Sequence, residues 1–215
     1  MDIYLLRHGE TDWNREGLLQ GHTDIPLNES GRKQVHDTVQ KLAGTGVKID
    51  LIVSSPLQRA HESAEIAAGQ LEYPPDSIVL EPMLIERGFG AGEGMTLAER
   101  DQKFPDKNYP GMESQADLLK RAGTVFEKIV DTYIESENIS NILLVAHGAV
   151  LYAVLAAVSK EKIFDLETAA ALTQGSIYRI RYLNGEIGFA VYDEEGKEFL
   201  DVDAGMIGGL VKIYI

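Results

Sequence analysis

Three short segments of this chain are mostly apolar, and each is followed by residues that can bind anions or carry protons. The segments are 3–6 (IYLL), 50–55 (DLIVSS) and 141–146 (NILLVA). Apolar runs of this length are typical of strands buried on both faces of a parallel sheet that helices cover. Arg7 and His8 follow the first segment, Arg59 comes shortly after the second, and His147 follows the third.

Helical patterns separate these strands. Ser30 is expected to cap the first helix, which ends near Gly44. The pattern also predicts helices from Pro56 to about residue 71, over 114–135 and over 149–158, and shorter strands over 77–80, 176–182 and 187–192. Alternating strands and helices predict an α/β fold with three layers (α/β/α) and a mostly parallel central sheet.

The chain has the size of one domain, which we expect to span residues 1–204. Its 215 residues are 44% hydrophobic, enough for one large core. Two polar, glycine-bearing segments, 9–29 and 86–115, are expected to be loops that shape the site. Residues 205–215 form an apolar extension, expected to add an edge strand to the domain. The alternative is that this strand pairs with a second copy to form a homodimer.

Charge and composition exclude several classes of function. A formal net charge of −14 argues against nucleic acid as a partner, because nucleic-acid-binding proteins present a basic face. The chain has no cysteine, which excludes disulfides and thiol nucleophiles and fits a reducing cytoplasm. We expect neither a signal peptide nor a membrane partner, since no window approaches the ~18 consecutive apolar residues of a membrane helix.

The residues at the strand ends predict an anion pocket. The carboxyl ends of parallel strands meet at one edge of a sheet, which would bring Arg7, His8, Arg59 and His147 together. Arginine binds phosphate oxygens with two parallel hydrogen bonds, although sulfate or carboxylate would also fit. A neutral imidazole can act as a nucleophile toward phosphorus, and the Gly9 carbonyl is placed to fix the tautomer of His8. Taken alone, Arg59 would also fit a position on a helix surface.

Phosphoryl transfer also needs a proton donor for the leaving oxygen. Glu86, at the head of a glycine-rich loop, is the candidate, since a carboxyl beside a bound phosphate would keep its proton. Glu81 and Glu93 flank the same loop and are the alternatives.

The motifs around these residues resemble those of the histidine phosphatase superfamily, in its phosphoglycerate-mutase-like branch. The resemblance covers about residues 3–150 in the expected order. The matching motifs are Arg7-His8-Gly9-Glu10-Thr11-x-Trp13-Asn14, Ser54-Ser55-Pro56-Leu57-x-Arg59-Ala60, Leu84-Ile85-Glu86 with Phe89-Gly90 and Glu93-Gly94, and Val145-Ala146-His147-Gly148.

The resemblance implies a role for each matching residue. His8 would be the nucleophile that becomes phosphorylated, and Glu86 would act first as general acid and then as base. The resemblance places Arg7, Arg59 and His147 on the phosphoryl oxygens, Asn14 on the phosphoryl group, and Gln20 and Gly21 near the substrate. It implies no metal and no organic cofactor.

Members of this branch are phosphatases or mutases, and the motifs here favour a broad-specificity phosphatase. Mutases carry a Glu-Arg-His-Tyr-Gly run at the acid and a long insertion with paired arginines. Here the run is Glu86-Arg87-Gly88-Phe89-Gly90, and the segment up to His147 is short and has no adjacent arginines. We therefore expect a phosphomonoesterase that acts on a small phosphorylated metabolite. The alternatives are a cofactor-dependent phosphoglycerate mutase and a non-catalytic phospho-ligand binder, which would have no need of the proton donor.

Overall fold

The computed structural model describes residues 1–134, 136, 138–158, 172–183 and 186–191. Its strands are β1 (Asp2–Arg7), β2 (Leu51–Ser54), β3 (Val79–Leu80), β4 (Asn141–Ala146), β5 (Ile177–Leu183) and β6 (Glu186–Val191). Its α-helices are α1 (Asp12–Arg15), α2 (Glu29–Gly44), α3 (Gln58–Gln70), α4 (Leu97–Lys103), α5 (Gln115–Tyr133) and α6 (Gly148–Val158).

Within the described residues the strands form one sheet in the order β3-β2-β4-β1-β5-β6. The first four strands of this order are mutually parallel, whereas β5 and β6 are antiparallel to their neighbours. The prediction of a mostly parallel sheet in an α/β fold is therefore confirmed. The register pairs Arg7 with Ala146 and Ser54 with Val145, so that β1, β2 and β4 end at one level.

Side chains alternate between the two faces of the sheet and form two cores. Ile3 and Leu5 of β1 pack with α5 and α6 on one face. Tyr4 and Leu6 pack with α2 and α3 on the other face. Because apolar residues alternate to both sides, the strand is buried on both, and this produces the three predicted layers.

Three local details differ from the sequence-based expectations. Helix α2 is capped by Asn28, whose side chain accepts a hydrogen bond from the Gly31 N–H (2.8 Å), and not by Ser30. Each segment predicted as a loop also contains a short helix, α1 in 9–29 and α4 in 86–115. Both helices begin with a capping box, on Thr11 and Thr96, which satisfies backbone N–H groups that a short helix would otherwise leave unpaired.

Parts of the predicted C-terminal region lie outside the described residues. They include the 205–215 extension and the 1–204 domain boundary. Among the residues that the structure does describe, no helix has the length and apolar character needed to cross a bilayer.

Candidate active site

His8 and His147 lie side by side because β1 and β4 are parallel neighbours. The His8 N–H donates to the Ala146 carbonyl (3.0 Å), which continues the sheet hydrogen bonding one residue beyond β1. The centroids of the two imidazole rings are 5.1 Å apart. The predicted meeting of strand ends thus places two histidines in contact at the carboxyl edge of the sheet.

The hydrogen bonds of His8 leave one ring nitrogen available for attack. Its Nδ1 lies 2.7 Å from the carbonyl oxygen of Gly9. A carbonyl only accepts, so in the neutral ring Nδ1 carries the hydrogen and Nε2 carries the lone pair. Burial lowers the pKa of His8 well below its ordinary value, and the charges of Arg7 and Arg59 lower it further. His8 is therefore neutral near neutral pH, with a lone pair on Nε2.

His147 is oriented by a neighbouring serine that sequence analysis did not single out. Its Nε2 lies 2.8 Å from the Ser55 hydroxyl, and that hydroxyl accepts a hydrogen bond from the Leu57 N–H (3.3 Å). When the Ser55 hydroxyl donates to Nε2, the ring hydrogen of His147 lies on Nδ1. Burial lowers the pKa of His147 well below its ordinary value, with Arg59 and His8 adding to the shift, so the ring is neutral.

Arg59 is fully buried, which excludes the helix-surface position. Its Nη1 donates to the Thr23 carbonyl (2.9 Å) and its Nη2 to the Gly21 carbonyl (2.8 Å). Arg7 is fixed in a similar way, because its Nη1 donates to the Leu172 carbonyl. Burial lowers the pKa of both arginines, and the nearby Glu86 carboxylate opposes that shift in each.

Several buried polar atoms of this cluster have no hydrogen-bond partner within the described residues. They are Arg7 Nε, Arg59 Nε, His147 Nδ1 and Gln20 Oε1. The two arginine nitrogens are donors, as is Nδ1 of His147 in the tautomer described above, and a buried donor without an acceptor is costly. An anion in the cluster would supply the missing acceptors.

The Glu86 carboxylate links its own loop to the residues that follow β4. Its Oε1 accepts hydrogen bonds from the backbone N–H groups of Arg87 (2.8 Å) and Ala149 (3.2 Å). Ala149 lies in the first turn of α6, directly after His147 and Gly148. This contact places the carboxyl next to the histidine pair.

The two alternative carboxylates are committed to other contacts. Glu81 pairs with Lys128 (2.6 Å), and Glu93 accepts hydrogen bonds from the N–H groups of His22, Thr23 and Phe89 (each 3.0 Å). Burial acts to raise the pKa of both carboxyls, but these hydrogen bonds outweigh it and lower the pKa. Both groups therefore stay ionised in these contacts, and Glu86 is the carboxyl of the three that contacts the start of α6, beside His147.

The three residues predicted to contact substrate are Asn14, Gln20 and Gly21. The Gly21 carbonyl accepts a hydrogen bond from Arg59. The φ of Gly21, +56°, is left-handed, and a Cβ there would lie 2.1 Å from Glu93 Oε1, so a larger residue would displace the Glu93 carboxylate. Asn14 Oδ1 accepts from the Thr11 N–H (3.1 Å) in the capping box of α1. Gln20 is buried, and neither it nor Asn14 hydrogen-bonds to the five catalytic candidates in the described residues. Their contact with substrate stays a prediction.

Two residues that sequence analysis did not single out contact the catalytic candidates or the backbone that carries them. Ser55 orients His147, and Arg121, described further below, contacts the segment that carries Glu86. The described residues contain no group of three or more side chains suited to hold a metal ion.

Comparison with known proteins relates this site to phosphoryl-transfer enzymes. The sequence profile of the histidine phosphatase superfamily (branch 1) matches residues 3–194. The phosphatase PhoE of Bacillus subtilis, itself uncharacterized, is 40% identical over 157 residues, which are 73% of this chain and 77% of that protein. A 2,3-bisphosphoglycerate-dependent phosphoglycerate mutase of Bartonella henselae is 29% identical over 184 residues, which are 79% of this chain and 88% of that protein.

A solved structure shows the same fold. The mycobacterial glucosyl-3-phosphoglycerate phosphatase in complex with VO3 superposes with a TM-score of 0.74 and 27% sequence identity. The match covers 88% of this chain and 97% of that one.

Proposed function

Because this chain belongs to the histidine phosphatase superfamily (branch 1), we propose that it hydrolyses phosphomonoesters through a phosphohistidine at His8. One observation carries the proposal. The buried, neutral His8 donates its Nδ1–H to Gly9, which directs the Nε2 lone pair into a cluster of unpaired buried N–H donors. A nucleophile and an anion-binding cluster in one place are what phosphoryl transfer to a side chain requires.

The first step transfers the phosphoryl group to the enzyme. The Nε2 lone pair of His8 forms a bond to phosphorus while the bond from phosphorus to the leaving-group oxygen breaks. Glu86 gives its proton to that oxygen, and the alcohol departs. The guanidiniums of Arg7 and Arg59 and the Nδ1–H of His147 bind the nonbridging oxygens and stabilise the charge of the transition state.

The second step returns the site to its starting state. Glu86, now a carboxylate, takes a proton from a water molecule whose oxygen forms a bond to phosphorus. The bond from phosphorus to Nε2 breaks, inorganic phosphate leaves, and the lone pair returns to His8. The same carboxyl is thus acid in one step and base in the next.

The substrate class follows from the same groups. The cluster recognises the phosphoryl group, so we propose a small phosphorylated metabolite as substrate. The mycobacterial relative is named for glucosyl-3-phosphoglycerate, which therefore belongs in a panel with sugar phosphates and 3-phosphoglycerate. Measuring released phosphate across the panel identifies the class with the highest kcat/KM.

The direct test of the proposal is His8→Ala, assayed with an aryl phosphate. We expect turnover to be abolished, because the other neutral imidazole of the site, His147, is engaged with the Ser55 hydroxyl through its Nε2. His36→Ala, at an exposed position on α2, is the matched control and is expected to keep wild-type activity. Wild-type-like activity of His8→Ala would overturn the proposal.

The metal-independent character of the enzyme is part of the same proposal. Its support is that each catalytic role is filled by a nitrogen base, a carboxyl or a guanidinium. Full activity is expected after dialysis against a chelator, and activity restored only by an added metal ion would contradict it.

A phosphoglycerate mutase is the second candidate, because one relative is a mutase. A mutase would convert 3-phosphoglycerate to 2-phosphoglycerate faster than it releases phosphate, and we expect the reverse. The run Glu86-Arg87-Gly88-Phe89-Gly90 supports the phosphatase, since it lacks the histidine and tyrosine of the mutase run.

Location and self-association are proposed on sequence grounds alone. The absence of cysteine from the chain supports a cytoplasmic location, which cell fractionation tests. A homodimer through 205–215 is tested by the solution mass of a chain lacking those residues. An unchanged oligomer would contradict that role of the segment.

A further inference from the structure

The segment that carries Glu86 has little regular structure of its own. After β3 the chain forms a single 3₁₀ turn, Pro82–Leu84, and then continues without a helix or strand through Glu86 to Phe89. A general acid must be held within hydrogen-bond distance of the leaving oxygen to be effective. Another part of the molecule must therefore fix this segment.

Arg121, on helix α5, contacts the segment with most of its donors. Its Nη1 donates to the carbonyls of Met83 (2.6 Å) and Ile85 (2.9 Å). Its Nη2 lies 3.4 Å from the Glu86 carbonyl. The side chain thus holds the backbone on both sides of the Ile85–Glu86 peptide bond.

Glu113 occupies the remaining donors of Arg121. The Nε of Arg121 donates to Oε1 of Glu113 (2.9 Å) and the Nη2 to Oε2 (2.8 Å). A guanidinium has five N–H donors, and these contacts account for all of them. Arg121 therefore has no donor left for a phosphoryl oxygen, and its charge is neutralised by a carboxylate that is equally buried.

A second cation of α5 binds the start of the same segment. Lys128, two helical turns after Arg121, pairs with Glu81 (2.6 Å). Between these two contacts the fully buried Leu84 packs in the core that α5 lines. Helix α5 is therefore a platform for 81–86, with Arg121 at the end near Glu86 and Lys128 at the far end.

We propose that Arg121 is a positioning residue for the general acid, and this rests on the proposed phosphatase mechanism. Arg121 holds the Glu86 backbone so that the carboxyl faces the leaving oxygen, while the contact with the phosphoryl group is left to Arg7 and Arg59. The contribution of Arg121 is consequently largest where the leaving group needs a proton and small where it does not.

The test compares substrates whose leaving groups differ in acidity. Arg121→Met keeps an unbranched side chain that can replace the aliphatic part of the arginine, and it removes the donors. For an alkyl phosphate, we expect kcat/KM to fall about 10²-fold, within the range that general acid catalysis provides. For the most acidic aryl phosphate we expect a change of no more than about threefold, because that leaving group departs without a proton.

Two controls separate positioning from a general structural role. Lys128→Met removes the other cation that α5 places on the segment, and it should leave the dependence on leaving group unchanged. In the Glu86→Gln background, Arg121→Met should cause no further loss, since the acid that it positions is absent. If Arg121→Met does not fold, Glu113→Gln is expected to change the leaving-group dependence in the same direction.

The outcomes also separate this inference from the proposed function. A leaving-group-dependent loss in Glu86→Gln, with an equal loss for every substrate in Arg121→Met, would overturn the inference and leave the mechanism intact. Additive losses in the double variant would overturn it as well. A wild-type enzyme without phosphatase activity, or a loss in Glu86→Gln that is the same for all substrates, would overturn both.

Discussion

The two halves of the active site are held by different interactions. In the strand-end half, defined as Arg7, His8, Arg59 and His147, parallel pairing of β1 with β4 sets the positions of Arg7, His8 and His147. Arg59 joins them from the first turn of α3, where the carbonyls of Gly21 and Thr23 hold its guanidinium. In the loop half, defined as Glu86 with segments 20–24 and 86–94, single side chains bind backbone groups, as Glu93 binds the N–H of Thr23. The sheet register cannot shift without turning every buried side chain to the other face, whereas each loop contact can change alone.

This difference assigns different tasks to the halves. The phosphoryl group is common to all phosphomonoesters, and in the proposed mechanism the strand-end half binds it. Leaving groups differ between substrates, and in the proposed mechanism the loop half, which carries Glu86, interacts with them. Its segments are held together by single hydrogen bonds worth ~1–3 kcal/mol each. Variants of the strand-end half should therefore affect all substrates equally, and variants of the loop half should discriminate between leaving groups.

The largest effect is expected in the strand-end half, for Arg59→Met. Loss of a phosphoryl-binding cation should lower kcat about 10²–10³-fold for alkyl and aryl phosphates alike. Arg32→Met, at an exposed arginine on α2, is the control and should retain activity. If the loss of kcat in Arg59→Met grows as the leaving group becomes less acidic, the proposed difference between the two halves is wrong.

A smaller effect is expected in the loop half, for Glu93→Gln. The amide leaves backbone N–H groups of the two segments without a charged acceptor, which should lower the free energy of unfolding by about 2 kcal/mol. The loosened loops should reduce kcat/KM about tenfold for alkyl phosphates and less for acidic aryl phosphates. Chemical denaturation measures the free energy of unfolding, and the substrate series measures kcat/KM. Glu127→Gln, at an exposed position on α5, is the control for both. Equal losses for all substrates would contradict the assignment.

Ser55→Ala tests whether the Ser55 hydroxyl sets the tautomer of His147. Without the hydroxyl, the neutral ring is free to exchange tautomers, and we expect kcat/KM to fall about threefold to tenfold, the value of one hydrogen bond. Nitrogen-15 NMR of the ring should show one tautomer, with the hydrogen on Nδ1, in the wild type and a mixture in the variant. Ser54→Ala, whose hydroxyl donates to the Ser55 carbonyl (2.9 Å), is the control. An unchanged tautomer in Ser55→Ala would contradict the assignment.

The smallest expected effect is the dependence of stability on pH. The pKa values of His8 and His147 are lowered in the folded chain from an ordinary value of 6.5, mainly by burial. Below pH 6.5 the unfolded chain therefore binds protons that the folded chain does not, and the free energy of unfolding falls as the pH falls toward the folded pKa values.

Replacing both histidines by asparagine should remove this part of the pH dependence. Urea unfolding midpoints above and below pH 6.5 measure it in the wild type and the double variant. If the urea midpoint changes with pH equally in both proteins, these two rings do not cause the pH dependence of stability.

The sequence was sufficient to predict the strand-end half. Apolar runs identify β1 and β4, and the rule that parallel strands end at one edge then brings His8 and His147 together. Glu86 was predicted from the need for a proton donor and from its place at the head of a glycine-rich loop, and the resemblance of that loop to a family motif supports the choice. Its choice over Glu81 and Glu93 required the observed partners of those two carboxylates.

The loop half was less predictable because its contacts join distant positions through backbone groups. Arg121 binds the carbonyls of Met83 and Ile85, and any residue type presents a carbonyl, so the sequence contains no signal for this contact. The missed helix α4 did have a signal, since Thr96 and Glu99 form the spacing of a capping box.

The central claim is that the strand-end half accepts the phosphoryl group on His8, and trapping of the phosphoenzyme tests it most directly. The enzyme is mixed with a radiolabelled phosphomonoester, quenched rapidly in alkali and digested. We predict an alkali-stable, acid-labile label on the peptide that contains His8, and no label in His8→Ala. With an acidic aryl phosphate, Glu86→Gln should accumulate more label than the wild type, because hydrolysis lacks its base. Label on another residue, or turnover without label in both proteins, would contradict the account.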